Sequence, residues 1–135
     1  MLKLIIGVKG TGKTKQLIEM VNDALITSKG DVVCIEKGDK LRYDVKYQCR
    51  LIDTESYGVD GADELYGFVA GILASNHDVT DLYIDSALKI CKDDMAAFNG
   101  FIEKLGEYAE GSEVNFVVTS SLTLEEASDS VKKYL

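Results

Sequence analysis

From Gly7 to Thr14 the chain reads Gly-Val-Lys-Gly-Thr-Gly-Lys-Thr, filling every position of the pattern GxxxxGK[ST]. Each residue type has a chemical task at that spacing. Glycines let the backbone curl through positive φ and bring successive N–H groups close to one anion, and a helix beginning near Lys13 adds the positive end of its dipole. Lys13 then reaches the β- and γ-phosphates of a nucleotide, and the Thr14 hydroxyl holds Mg²⁺. Gly7, Val8, Lys9, Gly10, Thr11, Gly12, Lys13, Thr14 and the adjoining Lys15 are therefore the candidate nucleotide-binding residues, with Thr14 also a metal ligand. The pattern carries this meaning where a strand precedes it and a helix follows, and the apolar run from Leu2 to Ile6 supplies the strand.

The rest of the chain has to position that loop. Leu17, Val21, Ala24 and Leu25, with Ile18, recur at helical spacing from about Lys13 to Ser28, and Gly30 ends the helix. Residues 31–36 form a second apolar strand, closing a strand–helix–strand unit with a right-handed crossover. Residues 37–48 are polar and basic, and residues 49–53 are a short or edge strand. With Asp60 as N-cap, Leu65, Phe68, Val69, Ile72 and Leu73 line one face of a helix to about Ser75. Gly67 and Gly71, four apart on it, are expected to allow close packing against a sheet. Residues 79–85 are the next strand. Met95, Phe98, Phe101, Ile102, Leu105 and Tyr108 mark a helix from about Lys92 to Glu110. Residues 114–119 are the last strand, and Thr123 with Glu126 makes a capping box for a C-terminal helix carrying Ala127, Val131 and Tyr134. The sum is one nucleotide-binding domain over residues 1–135, an α/β/α three-layer sandwich with a mostly parallel sheet.

In such a sheet ligand chemistry gathers at the C-terminal ends of the strands. Asp85 ends an apolar strand well after the loop, which is the place for a carboxylate that supports Mg²⁺. Loop, strand order and acid together resemble the P-loop NTPase superfamily, the loop and the acid being its Walker A and Walker B motifs. Ser86 follows Asp85, and this resembles the RecA-like branch. There the glutamate that polarises the attacking water ends the strand after the first helix, so the resemblance implies Glu36 as catalytic base beside Lys13. By the residues alone, Glu36 is equally a solvated strand-end acid or a partner of Lys37 or Lys40. The branch also places a γ-phosphate-sensing polar residue at the end of the strand after Walker B, which Thr119 or Ser120 matches. Ser120 joins the candidate nucleotide-binding residues. The chain has no room for the filament and DNA-binding elements of recombinases. As a whole it resembles short bacterial ATP-binding proteins that have been labelled relatives of the twitching-motility ATPase.

Composition narrows the function further. The net charge is −8, yet residues 1–50 carry +4 and residues 51–135 carry −12. That division suits a phosphate ligand near the N-terminus and disfavours wrapping nucleic acid, whose binding needs dense positive charge. No apolar run approaches the length of a membrane span, and a secretory segment is not recognisable, so a cytoplasmic location is expected. Cys34, Cys49 and Cys91 have no metal-ligand or disulfide spacing, and the single His77 lies in a polar stretch. Lys37, Lys40, Arg42, Lys46 and Arg50 alternate with Tyr43 and Tyr47, a combination suited to base stacking; a basic face with both tyrosines turned inward is the expectation. Arg42 and Arg50 are the only arginines, which disfavours a kinase lid and leaves them as the candidates for an arginine finger. GTP is disfavoured because Glu36-Lys37-Gly38-Asp39 lacks the Asn or Thr of a guanine-reading motif. The expected function is MgATP binding with slow or partner-activated hydrolysis, by way of an unidentified protein partner. The alternatives are a non-hydrolysing, nucleotide-dependent interaction module and a small-molecule phosphotransferase.

Overall fold

Runs of Val, Ile and Leu without polar alternation need burial on both faces, and a parallel sheet between helices provides it. In the computed structural model, which describes residues 1–135, these runs become β1 (Leu2–Gly7), β2 (Asp31–Glu36), β3 (Arg50–Asp53), β4 (Val79–Ile84) and β5 (Asn115–Ser121). All five are parallel, in the order β1-β5-β4-β2-β3. The helices are α1 (Lys13–Thr27), α2 (Ala62–Ser75), α3 (Ala87–Ile90), α4 (Met95–Glu110) and α5 (Asp129–Lys132). β1 and β2 are not neighbours, since β5 and β4 lie between them.

Strand alternation divides the interior in two. Val33, Ile35, Leu82, Ile84, Phe116 and Val118 pack with α2, α3, α4 and α5 on one face. Val32, Cys34, Tyr83 and Val117 meet Leu17 and Val21 of α1 on the other. One helix does not cover that second face. The remainder is covered by residues 37–49, whose Leu41, Val45 and Cys49 recur every fourth residue and are buried there. Asn22 fastens the same segment to α1: its side chain donates to the Asp44 carbonyl at 3.0 Å and accepts from the Lys46 N–H at 3.1 Å. The basic stretch is therefore a packed layer, and its charges face outward because its apolar residues are spaced to face in.

Several expectations are corrected. Tyr43 and Tyr47 point to solvent, 82% and 92% exposed, because Leu41, Val45 and Cys49 occupy the inward positions. Gly67 and Gly71 lie on the outer side of α2 with nothing within 4 Å of where a Cβ would stand, so they mediate no close packing. α2 begins at Ala62 after Gly61, and Asp60 instead pairs with Lys92 at 3.4 Å. α4 starts at Met95, capped by the Asp94 carboxylate, because Lys92 and Asp93 adopt left-handed conformations that end α3. Thr123 and Glu126 do make the reciprocal capping bonds, at 3.2 and 2.9 Å. The turn they close is followed only by the short α5, not a long helix.

Candidate functional site

Placing β5 between β1 and β4 brings three strand ends and the start of α1 together. They border a cleft of about 440 Å³ at the C-terminal edge of the sheet. Leu41 and Leu88 are its only apolar lining residues. Lys9, Lys13 and Lys15 line it from the loop side, Lys37 and Lys40 from the segment after β2, and Lys89 from α3. None of these lysines is in an ion pair. The lining acids are Glu36, Asp85 and Asp93.

The loop Gly7–Thr14 has the geometry its glycines dictate. Gly10 and Gly12 both have φ of 87°, a left-handed backbone that side chains disfavour. A Cβ at Gly7 would fall 2.7 Å from Thr11 Oγ1, so a side chain there would push Thr11 off its bond to the Val8 carbonyl. Thr11 Oγ1 and Lys13 Nζ both donate to the Val8 carbonyl, at 2.8 and 2.9 Å. The N-terminus of α1 has no side-chain cap. None of the backbone N–H groups from Lys9 to Lys15 donates to a protein acceptor. Helix N-termini normally find partners for such donors, and here a continuous run of them stands beside the lysines.

Across the cleft, Asp85 follows the last residue of β4 and is 8% exposed. Thr14 Oγ1 donates to its two carboxylate oxygens, each at 3.2 Å. Thr119 Oγ1 donates to Asp85 Oδ1 at 2.7 Å and accepts the Ser86 N–H at 2.9 Å, which leaves the hydroxyl one orientation. The carboxylate is thus held from α1 on one side and β5 on the other.

Ser120 lies elsewhere. It is fully buried on the opposite face, where its Oγ accepts the Leu88 N–H at 3.2 Å and steadies α3. It does not line the cleft, while Ser121 does. Strand alternation could have chosen between the candidates: Phe116 and Val118 require the larger core, which sends Ser120 with them and Thr119 toward α1. The same alternation puts Ser121, at the end of β5, on the Thr119 side, whereas Lys89 and Asp93 carried no sequence signal as cleft residues, because only the packing of α3 over the strand ends brings them in.

Glu36 is neither a solvated acid nor an ion-pair partner. It is 4% exposed, and its two oxygens accept the backbone N–H groups of Lys40 at 3.1 Å and Leu41 at 3.2 Å. Burial pushes its carboxyl above the ordinary value of 4.5; the Leu41 and Lys40 N–H groups pull it back, and the charges of Asp85 and Asp53 add to the rise. The folded protein therefore binds this proton more tightly than the unfolded chain. The associated stabilisation is present below the ordinary value and is lost as pH rises through the raised one. The difference in melting temperature, wild type minus Glu36→Gln, should accordingly fall between acid and neutral pH. A difference that is flat with pH would remove this assignment.

Neither arginine lines the cleft. Arg42 stacks over Tyr43 at 4.7 Å and pairs with Asp39, and Arg50 is an exposed residue at the start of the edge strand β3. No cluster of three or more His, Cys, Asp or Glu side chains forms a metal cage, and no helix is long and apolar enough to cross a membrane. Among known proteins, no family model matches the chain and no curated protein is significantly similar to it.

Proposed function

We propose that the chain is a nucleotide-binding protein of the P-loop NTPase type, RecA-like in arrangement, that takes MgATP in this cleft and hydrolyses it slowly until a protein partner accelerates it. One observation carries the reading. The unpartnered N–H groups from Lys9 to Lys15, curled by two left-handed glycines beside Lys13, match the demands of a phosphate chain. The donor set suits Mg²⁺ as well, since Thr14 and Asp85 offer hard oxygens side by side, and Mg²⁺ sites typically combine one or two carboxylates with phosphate oxygens and water.

When bound, Mg²⁺ supplies charge neutralisation on the phosphate oxygens. The chain's own residues do the rest. The loop N–H groups fix the phosphates, and Lys13 leaves the Val8 carbonyl to meet negative charge developing on the γ-phosphoryl oxygens. Thr119 keeps Asp85 in one orientation. Glu36 orients a water in line and accepts its proton. The direct test is a thermal shift with ATP, GTP and no nucleotide, each with and without Mg²⁺. The largest shift is expected with ATP and Mg²⁺, and no shift with any nucleotide overturns the reading.

A second reading is favoured by the engagement of both Glu36 oxygens with backbone N–H groups. A carboxylate so occupied makes the chain a nucleotide-dependent interaction module without useful turnover. Steady-state hydrolysis separates the two. An ATPase should lose about 10²-fold or more in Glu36→Gln, the usual effect of removing a general base. Equal inactivity of both proteins with intact ATP binding leaves the module.

A further inference from the structure

We infer that Glu36 is a latch: its carboxylate holds the turn Lys37–Leu41 in place, and occupation of the cleft by a nucleoside triphosphate withdraws it and frees the turn. This rests on the function proposed above and goes beyond it, because it assigns the cleft a mechanical output.

Glu36 is the one residue outside the 37–49 layer that both lines the cleft and hydrogen-bonds the backbone of that layer. Its side chain is buried, and both carboxylate oxygens are committed to that backbone. In the latch the side chain turns to bring an oxygen to a water beside the γ-phosphate, and turning gives up Lys40 N–H, Leu41 N–H or both. Leu41 is 2% exposed, so its N–H cannot simply pass to solvent. A buried donor without a partner is costly, and the turn has to move until water reaches that donor.

The surrounding structure confines the motion to one place. Beyond Leu41 the layer keeps independent anchors in Val45, Cys49 and the two Asn22 bonds. Before it, Gly38 has φ of 101° and donates its N–H to Asp53 Oδ1 at 2.7 Å, which makes a fixed pivot. Lys40 lies in the freed part of the turn, lines the cleft and has no ion-pair partner, so anionic charge in the cleft draws the turn toward itself. The same turn leads directly into Arg42 and the exposed Tyr43. Cleft occupancy is in this way transmitted to the outer face of the 37–49 layer.

Amide hydrogen exchange, resolved to single residues, tests the latch on the unmodified chain. The probe is a non-hydrolysable ATP analogue with Mg²⁺, saturation being established by thermal shift. In the ligand-free protein the Lys40 and Leu41 amides should be protected. At saturation they should exchange about tenfold faster, the change expected for loss of a hydrogen bond to a charged acceptor, while the Lys46 and Cys49 amides, which donate to Asn22 and Lys46, stay as they were. In Glu36→Gln the Lys40 and Leu41 amides should already exchange faster without ligand and change little when it binds. Unchanged or slower exchange of these two amides in saturated wild type overturns the latch and leaves the proposed function standing. A complete lack of thermal shift overturns both.

Discussion

Lys13→Ala should abolish most of the stabilisation that ATP and Mg²⁺ confer while leaving the ligand-free protein's melting temperature nearly unchanged. The only bond of the Lys13 amine is an exposed one to the Val8 carbonyl, so its loss costs the empty protein little. In the proposed liganded protein the same amine would face phosphate oxygens, where hydrogen bonds between charged groups are worth about 1.5–3 kcal/mol each. Two such bonds correspond to about a hundredfold or more in affinity. Wild type at a ligand concentration of about a hundred times its dissociation constant gains about 2.7 kcal/mol, and a hundredfold weaker variant at that concentration keeps only about 0.4 kcal/mol. For a chain of 135 residues the wild-type gain is a shift of roughly 10 °C. Thermal denaturation of both proteins across a nucleotide titration checks it. A full shift in Lys13→Ala would place the ligand somewhere other than the loop.

Asp85→Asn should uncouple Mg²⁺ from nucleotide. In wild type, Mg²⁺ should add to the stabilisation given by ATP, because the Asp85 carboxylate and the Thr14 hydroxyl lie together at 3.2 Å as oxygen donors. The amide keeps the shape and still offers one oxygen to the Thr119 hydroxyl, so the fold survives with a loss of about 1–2 kcal/mol from the weaker, uncharged acceptor. Removing a negative charge from the cleft should leave binding of metal-free ATP intact or improve it. Mg²⁺ should then add nothing, and any hydrolysis should drop by about 10²-fold. The check is a matched set of thermal shifts with ATP alone and ATP with Mg²⁺. An undiminished Mg²⁺ increment in the variant would exclude Asp85 from the metal site.

Local chemistry made some of this molecule legible in advance. The strands announce themselves because runs such as residues 31–36 and 79–84 have no polar alternation and need burial on both faces. The loop's conformation follows from its glycines, two of which take a left-handed backbone that other residues resist. Other features were out of reach for a stated physical reason. The inward spacing of Leu41, Val45 and Cys49 is too short a pattern to outweigh the surrounding charge, and it matters only because α1 leaves part of the sheet uncovered. Gly67 and Gly71 lie on the outer side of their helix because Leu65 and Val69 take the inner one.

The amino-acid sequence by itself determined the elements: parallel strands, the helices between them, and a loop whose residue types suit a phosphate. These depend on properties of neighbouring residues, namely backbone freedom, apolar periodicity and charge. Tertiary structure decided which groups from distant segments share a space. It set β5 between β1 and β4, and so gave Asp85 to Thr119 and sent Ser120 to the opposite face. It folded residues 37–49 onto α1, and so turned Glu36 from a strand-end acid into a buried carboxylate holding two backbone N–H groups. A carboxylate's role follows from the donors and the solvent around it, and those come from parts of the chain that only folding brings near.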